Sequence, residues 1–241
     1  MSLQSRAVTM TKQMIQIEST DPGTYENAMA DWITTQLAPY PNVRLSRQEV
    51  LPGRPNLIAE LTGDPSLPAL VMICHMDTVV VGDGWTLPPF DAIEKDGKIY
   101  GRGACDMKSG LACCLSAFQY AAETLQTSGK TPKQTLKLIC SMDEEDFMRG
   151  SEACIQAGWV TDHDWVIDAE PTNGQIQMAH KGRTWYEIDV QGHTAHASTP
   201  WKGADAIAAM AEIIREIRHA ILYAPVHPDM GSSTVTFGQI T

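Results

Sequence analysis

The sequence predicts an α/β fold: a mainly parallel or mixed sheet sandwiched by helices, followed by the start of a second, α+β unit. Three observations carry this. Short, fully apolar runs bounded by Pro and Gly alternate with helical segments up to about residue 170. Of the 241 residues, 43% are hydrophobic, enough to bury a sizeable core. From about Lys181 the pattern changes to strict alternation of apolar and polar residues.

Taken in order, the first forty residues read as two helices, 4–17 and 24–37, split by Ser19-Thr20-Asp21-Pro22-Gly23. Strands follow over 43–50, 56–61 and 69–74. Residues 93–100 form a hairpin with Asp96-Gly97 at its turn. Residues 109–125 read as a buried helix, with strands over 134–141 and 165–169 on either side of the next loop region. In the second unit, Thr184, Tyr186, Ile188 and Val190 alternate with Trp185, Glu187 and Asp189, which predicts a half-buried strand. An amphipathic helix over 204–222 places Ile207, Met210, Ile214, Ile217 and Ile221 three and four residues apart. A last β-like run covers 233–240. The expected domains are 1–180 and 181–241.

Composition narrows the function classes. Charged residues make up 20% and the net charge is −11, which excludes a disordered, collagenous or coiled-coil chain. The acid excess argues against nucleic acid and against an anionic membrane surface. No apolar run reaches the ~18 residues of a spanning helix, and residues 1–6 carry no apolar leader. The expectation is a soluble, cytosolic protein. Cys74, Cys105, Cys113, Cys114, Cys140 and Cys154 show no C-x-x-C pair and read as reduced, mostly buried thiols.

Four clusters carry chemistry, each where an element ends. His75 and Asp77 lie two apart after an apolar strand and so project together, an arrangement in which a carboxylate orients an imidazole ligand. Gly101-Arg102-Gly103-Ala104-Cys105-Asp106-Met107-Lys108-Ser109-Gly110 is a glycine-rich loop entering a helix. A dinucleotide fingerprint would need Gly at Asp106 and a P-loop would need Gly at Met107, so both fail. What remains is the Asp106 carboxylate, a helix cap or a ligand. Asp143-Glu144-Glu145-Asp146 closes a strand, as a solvated acidic loop or as a cation site. Asp168-Ala169-Glu170-Pro171-Thr172 ends another, with Glu170 restricted by the following proline. One imidazole and several carboxylates, without suitably spaced thiolates, suit a hydrolytic Zn²⁺ pair better than a structural zinc. Such a pair, about 3.5–4 Å apart, needs a bridging carboxylate and a base for the shared water.

With those motifs in hand, the chain resembles the acetylornithine deacetylase / succinyl-diaminopimelate desuccinylase / carboxypeptidase G / aminoacylase family of dizinc hydrolases. The resemblance rests on His75-x-Asp77, Gly101-Arg102-Gly103-x-x-Asp106-Met107-Lys108-x-Gly110, Asp143-Glu144-Glu145 and Glu170-Pro171-Thr172. Gly192-His193-Thr194-Ala195-His196-Ala197-Ser198-x-Pro200 with Gly203-Ala204-Asp205-Ala206 resembles the opening of that family's lid or dimerisation domain. The resemblance implies a zinc-peptidase-like fold and two Zn²⁺ ions, with Co²⁺ as a substitute. It assigns His75, Asp106 and Glu170 to one ion, Asp106 and Glu145 to the other, and Glu144 as general base. Asp77 would orient His75, and His196 would stabilise the oxyanion in a partner subunit's site, with His193 the weaker candidate. The other histidines, His163, His180, His219 and His227, read as surface or packing residues. In the family a returning segment after the lid brings a last histidine ligand, so the chain looks like an N-terminal portion that binds its second zinc weakly.

The implied function is metal-dependent hydrolysis of the amide bond of small N-acyl amino acids, in a homodimer formed through 181–241. A dipeptidase or carboxypeptidase of the same family is the alternative. A catalytically silent dimerising or binding fragment is the reading from another class, and a cysteine hydrolase is a distant third.

Overall fold

The computed structural model describes residues 2–241. The elements run α1 Leu3–Ile15, β1 Thr20–Asp21, α2 Asn27–Leu37, β2 Arg44–Leu51, β3 Arg54–Leu61, β4 Leu70–His75, β5 Thr78–Val79, β6 Ile93–Lys95 and β7 Lys98–Tyr100. They continue with α3 Lys108–Ser128, β8 Leu136–Ser141, α4 Arg149–Gln156, β9 Trp165–Asp168, a short 3-10 turn at Pro200–Lys202 and α5 Ala206–Leu222. The chain divides into two compact units, the first ending at Gly174 and the second running Gln175–Thr241.

In the first unit a mixed sheet of five strands has the order β2-β3-β8-β4-β9. The β2–β3 and β3–β8 pairs are antiparallel, while β4 lies parallel to both β8 and β9. Every residue of β3 is buried, including the polar Arg54, Asn56 and Glu60, as its place between β2 and β8 requires. Helices α1, α2 and α3 supply Met10, Met14, Met29, Ile33, Leu37, Leu111, Leu115 and Phe118 to the main core, packed on Leu57, Leu61, Cys74 and Leu138. The Ser2 hydroxyl caps α1 by accepting from Ser5 N–H at 3.1 Å. Helix α3 ends at Gly129, whose φ of +65° is the left-handed value that glycine adopts without a Cβ clash. The β6–β7 hairpin turns at Asp96-Gly97, as expected.

This topology fixes the site. Parallel pairing brings the C-terminal ends of β4, β8 and β9 to one edge, with His75 opposite Ser141 and Ile73 opposite Asp168. The acidic residues that follow each strand therefore leave the sheet side by side.

The second unit departs from expectation. Residues 184–190 and 233–240 form no strand, and the unit's ladder contacts are the isolated bridges His193↔Ala204 and His227↔Gly231. Alternation marks a strand only where a neighbour takes up the backbone and a core covers the apolar face; here Trp185 is 65% and Tyr186 83% exposed. Helix α5 forms, capped by Asp205, which accepts from Ala208 N–H at 3.0 Å. Helix α4 was not anticipated, because RGSEACIQ is only eight residues long, too short for its apolar pattern to stand out from a loop. Cys74, Cys114, Cys140 and Cys154 are buried free thiols, whereas Cys105 and Cys113 are exposed.

Candidate active site

The buried imidazole of His75 is the centre of the cluster. Its Nδ1 lies 2.8 Å from the backbone carbonyl of Asp77, which accepts the proton when that nitrogen carries it. This fixes the ring and turns Nε2 toward a group of carboxylates. Asp106 Oδ1 stands 3.1 Å from Nε2, Glu170 Oε1 3.6 Å and Glu144 Oε2 4.0 Å. Ligand atoms of His75, Asp106 and Glu145 lie within 4.8 Å of one another, and so do those of His75, Glu144 and Glu170. Asp106 opens the turn into α3 through a cis bond to Met107.

Asp77 does more than the sequence suggested, and does it differently. Its carboxylate sits 3.7 Å from His75 Nδ1, beyond hydrogen-bond reach. The main-chain carbonyl orients the ring instead. The carboxylate accepts the N–H groups of Glu144 at 3.2 Å and Glu145 at 3.0 Å, and so carries the acidic loop.

The electrostatics follow from crowding. Burial works against a charged His75, but the hydrogen bond to Asp106 and the charges of Asp77, Glu170 and Glu144 outweigh it and raise the imidazole to about 9. Burial lifts Glu170 to about 8 and Asp77 to about 6, the latter against the pull of His75 and the loop amides. Glu145 is raised by burial and by Asp106. Asp106 is lowered, chiefly by its hydrogen bond to His75. Carboxylates pushed toward neutrality around one imidazole would be relieved by a cation, and an N/O donor set of this kind suits a divalent metal. The donor set fits the ion.

Sequence reasoning missed the groups beneath the acidic loop. Glu26 and Arg54 are buried there, against the buried Asp143 of the loop, and Arg149 holds Asp143 through Nε–Oδ2 and Nη2–Oδ1 bonds of 2.6 Å each. No spacing signal links Glu26 or Arg54 to a loop so far away in sequence. Lys108, beside Asp106, is also fully buried; its Nζ donates to the Ile17 carbonyl at 2.8 Å and burial lowers it to about 7. His196 lies in the second unit, where its Nδ1 pairs with Ser198 Oγ at 2.8 Å. His193 bridges Ala204 through its backbone.

Comparison with known proteins gives the family. Residues 71–239 match the peptidase family described as M20/M25/M40. The chain belongs to the M20/M25/M40 family. A probable succinyl-diaminopimelate desuccinylase of Staphylococcus aureus (strain Mu50 / ATCC 700699) is 36% identical to this M20/M25/M40 member over 167 residues, 68% of the chain and 40% of the relative. An acetylornithine deacetylase of Proteus mirabilis (strain HI4320) is 34% identical over 197 residues, 79% of the chain and 46% of the relative. The chain thus spans less than half the length of these relatives. The crystal structure of aminopeptidase PepT from Bacillus cereus ATCC 10987 superposes with a TM-score of 0.56 at 22% identity, covering 92% of this chain and 57% of that one. That likeness concerns the α/β fold alone.

Proposed function

We propose that this chain carries the catalytic cluster of a metal-dependent hydrolase that cleaves the amide bond of N-acyl amino acids, of the deacetylase or desuccinylase type. The observation that carries the reading is the convergence of Asp106, Glu170 and Glu144 within 4.0 Å of one imidazole nitrogen, in a family member whose curated relatives bear those names. His75, Asp106, Glu145 and Glu170 would hold the metal, with Zn²⁺ the preferred ion, two per complete site. Bound there, divalent cations would polarise the scissile carbonyl and make an attacking water more acidic.

The chain's own residues then do the following. Glu144 takes a proton from the attacking water and returns it to the leaving nitrogen. Asp77 holds Glu144 and Glu145 in place by their N–H groups and fixes the His75 ring through its carbonyl. His196, with Nδ1 engaged by Ser198, offers its other nitrogen to the developing oxyanion of a partner subunit's substrate. The homodimer would form through the second unit, where Trp185, Tyr186 and Ile207 are exposed. A cytosolic location accords with this chemistry, and no described helix is long and apolar enough to cross a membrane.

The test is amine release from N-acetylornithine and N-succinyl-diaminopimelate with added Zn²⁺ or Co²⁺, with a dipeptide in parallel. Release that stops on chelation is expected. Release insensitive to chelator would overturn the metal assignment. Hydrolysis of the dipeptide alone would favour a dipeptidase, and no hydrolysis of any substrate would favour a silent dimerising or binding chain.

A further inference from the structure

Three consecutive N–H groups of the loop that carries Glu144 and Glu145 are taken up by two buried carboxylates. Asp143 N–H donates to Glu26 Oε1 at 3.2 Å, and the next two donate to Asp77. Glu26 and Asp77 are both fully buried. Asp143 has φ +63°, the left-handed turn that lets successive amides converge on an anion. Glu26 belongs to neither the sheet nor any motif; it stands immediately before α2, 117 residues from its loop partner.

Glu26 is held in turn by Arg54, the first residue of β3. Arg54 donates from Nε to Glu26 Oε2 at 2.9 Å and from Nη2 to Glu26 Oε1 at 2.5 Å. The same Nη2 reaches Asp21 Oδ2 at 2.5 Å and lies 3.3 Å from Asp143 Oδ1, and the guanidinium stacks 4.2 Å over the Tyr25 ring. Buried ion pairs give little net stability compared with apolar packing of the same volume. This one joins the entry to α2, the start of β3 and the acidic loop after β8, so its consequence is geometric.

We propose that the Glu26–Arg54 pair is a positioning device: it fixes the Asp143 backbone and thereby sets the carboxylates of Glu144 and Glu145 against His75 and Asp106. The inference rests on the roles proposed above for Glu144 and Glu145. Glu26→Gln tests it, because in either amide orientation one donor meets another: an amide nitrogen facing Arg54 Nε breaks that bond, and one turned to the other side breaks the bonds from Arg54 Nη2 and Asp143 N–H. Arg54→Lys is the second variant, since an ammonium cannot span both Glu26 oxygens.

Three readouts separate positioning from a general structural effect. Hydrogen exchange of the metal-free protein, followed on peptides covering residues 141–149, should rise at least about tenfold, with α3 within about twofold. Co²⁺ affinity, titrated by its visible absorption, should weaken at least about fivefold. With N-acetylornithine, kcat should fall at least about tenfold while KM stays within about twofold, as displacement of a base requires. Unchanged exchange in 141–149, an equal rise in α3, or failure of both variants to fold would overturn the proposal. If the exchange and Co²⁺ changes appear but the parent chain hydrolyses no N-acyl amino acid, the positioning role stands and the hydrolase reading fails.

Discussion

Glu144 and Glu145 are adjacent and hang by their N–H groups from the same Asp77 carboxylate, yet their side chains serve different groupings, Glu144 with Glu170 and Glu145 with Asp106. Loss of a base removes proton transfer, whereas loss of a ligand removes binding. Glu144→Gln should lower kcat by about 10²–10⁴-fold with metal content nearly unchanged, while Glu145→Ala should lose metal on dialysis. Equal metal loss in both variants would show the roles to be wrongly divided. Away from the site, Asp164 accepts Ala69 N–H at 2.9 Å, Thr161 N–H at 2.9 Å and the Thr161 hydroxyl at 3.1 Å. Burial raises its carboxyl, but these donors outweigh it and hold it below the ordinary 3.8. A group lowered in the fold adds stability above its unfolded pKa and loses it as pH falls through the folded one. Asp164→Asn should therefore lower the urea midpoint most at neutral pH, and the gap from the parent should narrow below about pH 4. A constant gap across that range would count against the ionised carboxylate as the cause.

Helix α3 and the end of β9 meet at a glycine. A Cβ on Gly110 would stand 2.2 Å from the Ala169 carbonyl oxygen, and that backbone atom leads directly into Glu170. The glycine in the Gly101 to Gly110 motif thus has a packing reason: it lets the helix approach the strand end that presents a candidate ligand. Gly110→Ala should cost about 1–3 kcal/mol by overpacking and weaken Co²⁺ binding through displaced Glu170; urea unfolding and a Co²⁺ titration read the two effects separately. An unchanged urea midpoint would mean the helix can shift without strain. The elements that were legible in sequence are those whose burial is marked along a single segment, as the apolar face of the long helix α3 and the continuous interior run of β3 are. Helix α4 is too short for its period to be read in sequence, and 184–190 showed a strand's alternation without any paired neighbour in the described residues.

At the scale of the whole molecule, buried residues end at Cys154, and none of the described residues beyond it is buried. Protection from hydrogen exchange follows local burial. The slowest amides should lie in β3, β4 and β8, and the fastest in Gln175–Thr241, α5 included; α5 amides as slow as those of β3 would refute this. The same contrast separates what each level of description determined. The sequence alone determined the α/β class and picked out His75, Asp106, Glu144, Glu145 and Glu170, because these are short-range patterns: apolar runs, and polar groups at their ends. Only the tertiary structure decided that the ends of β4, β8 and β9 share one edge, that Asp77 carries the acidic loop, and that Glu26 and Arg54 lie beneath it. Those contacts join segments far apart in the chain, and a side chain's own sequence neighbours hold no information about a partner that the fold brings from 117 residues away.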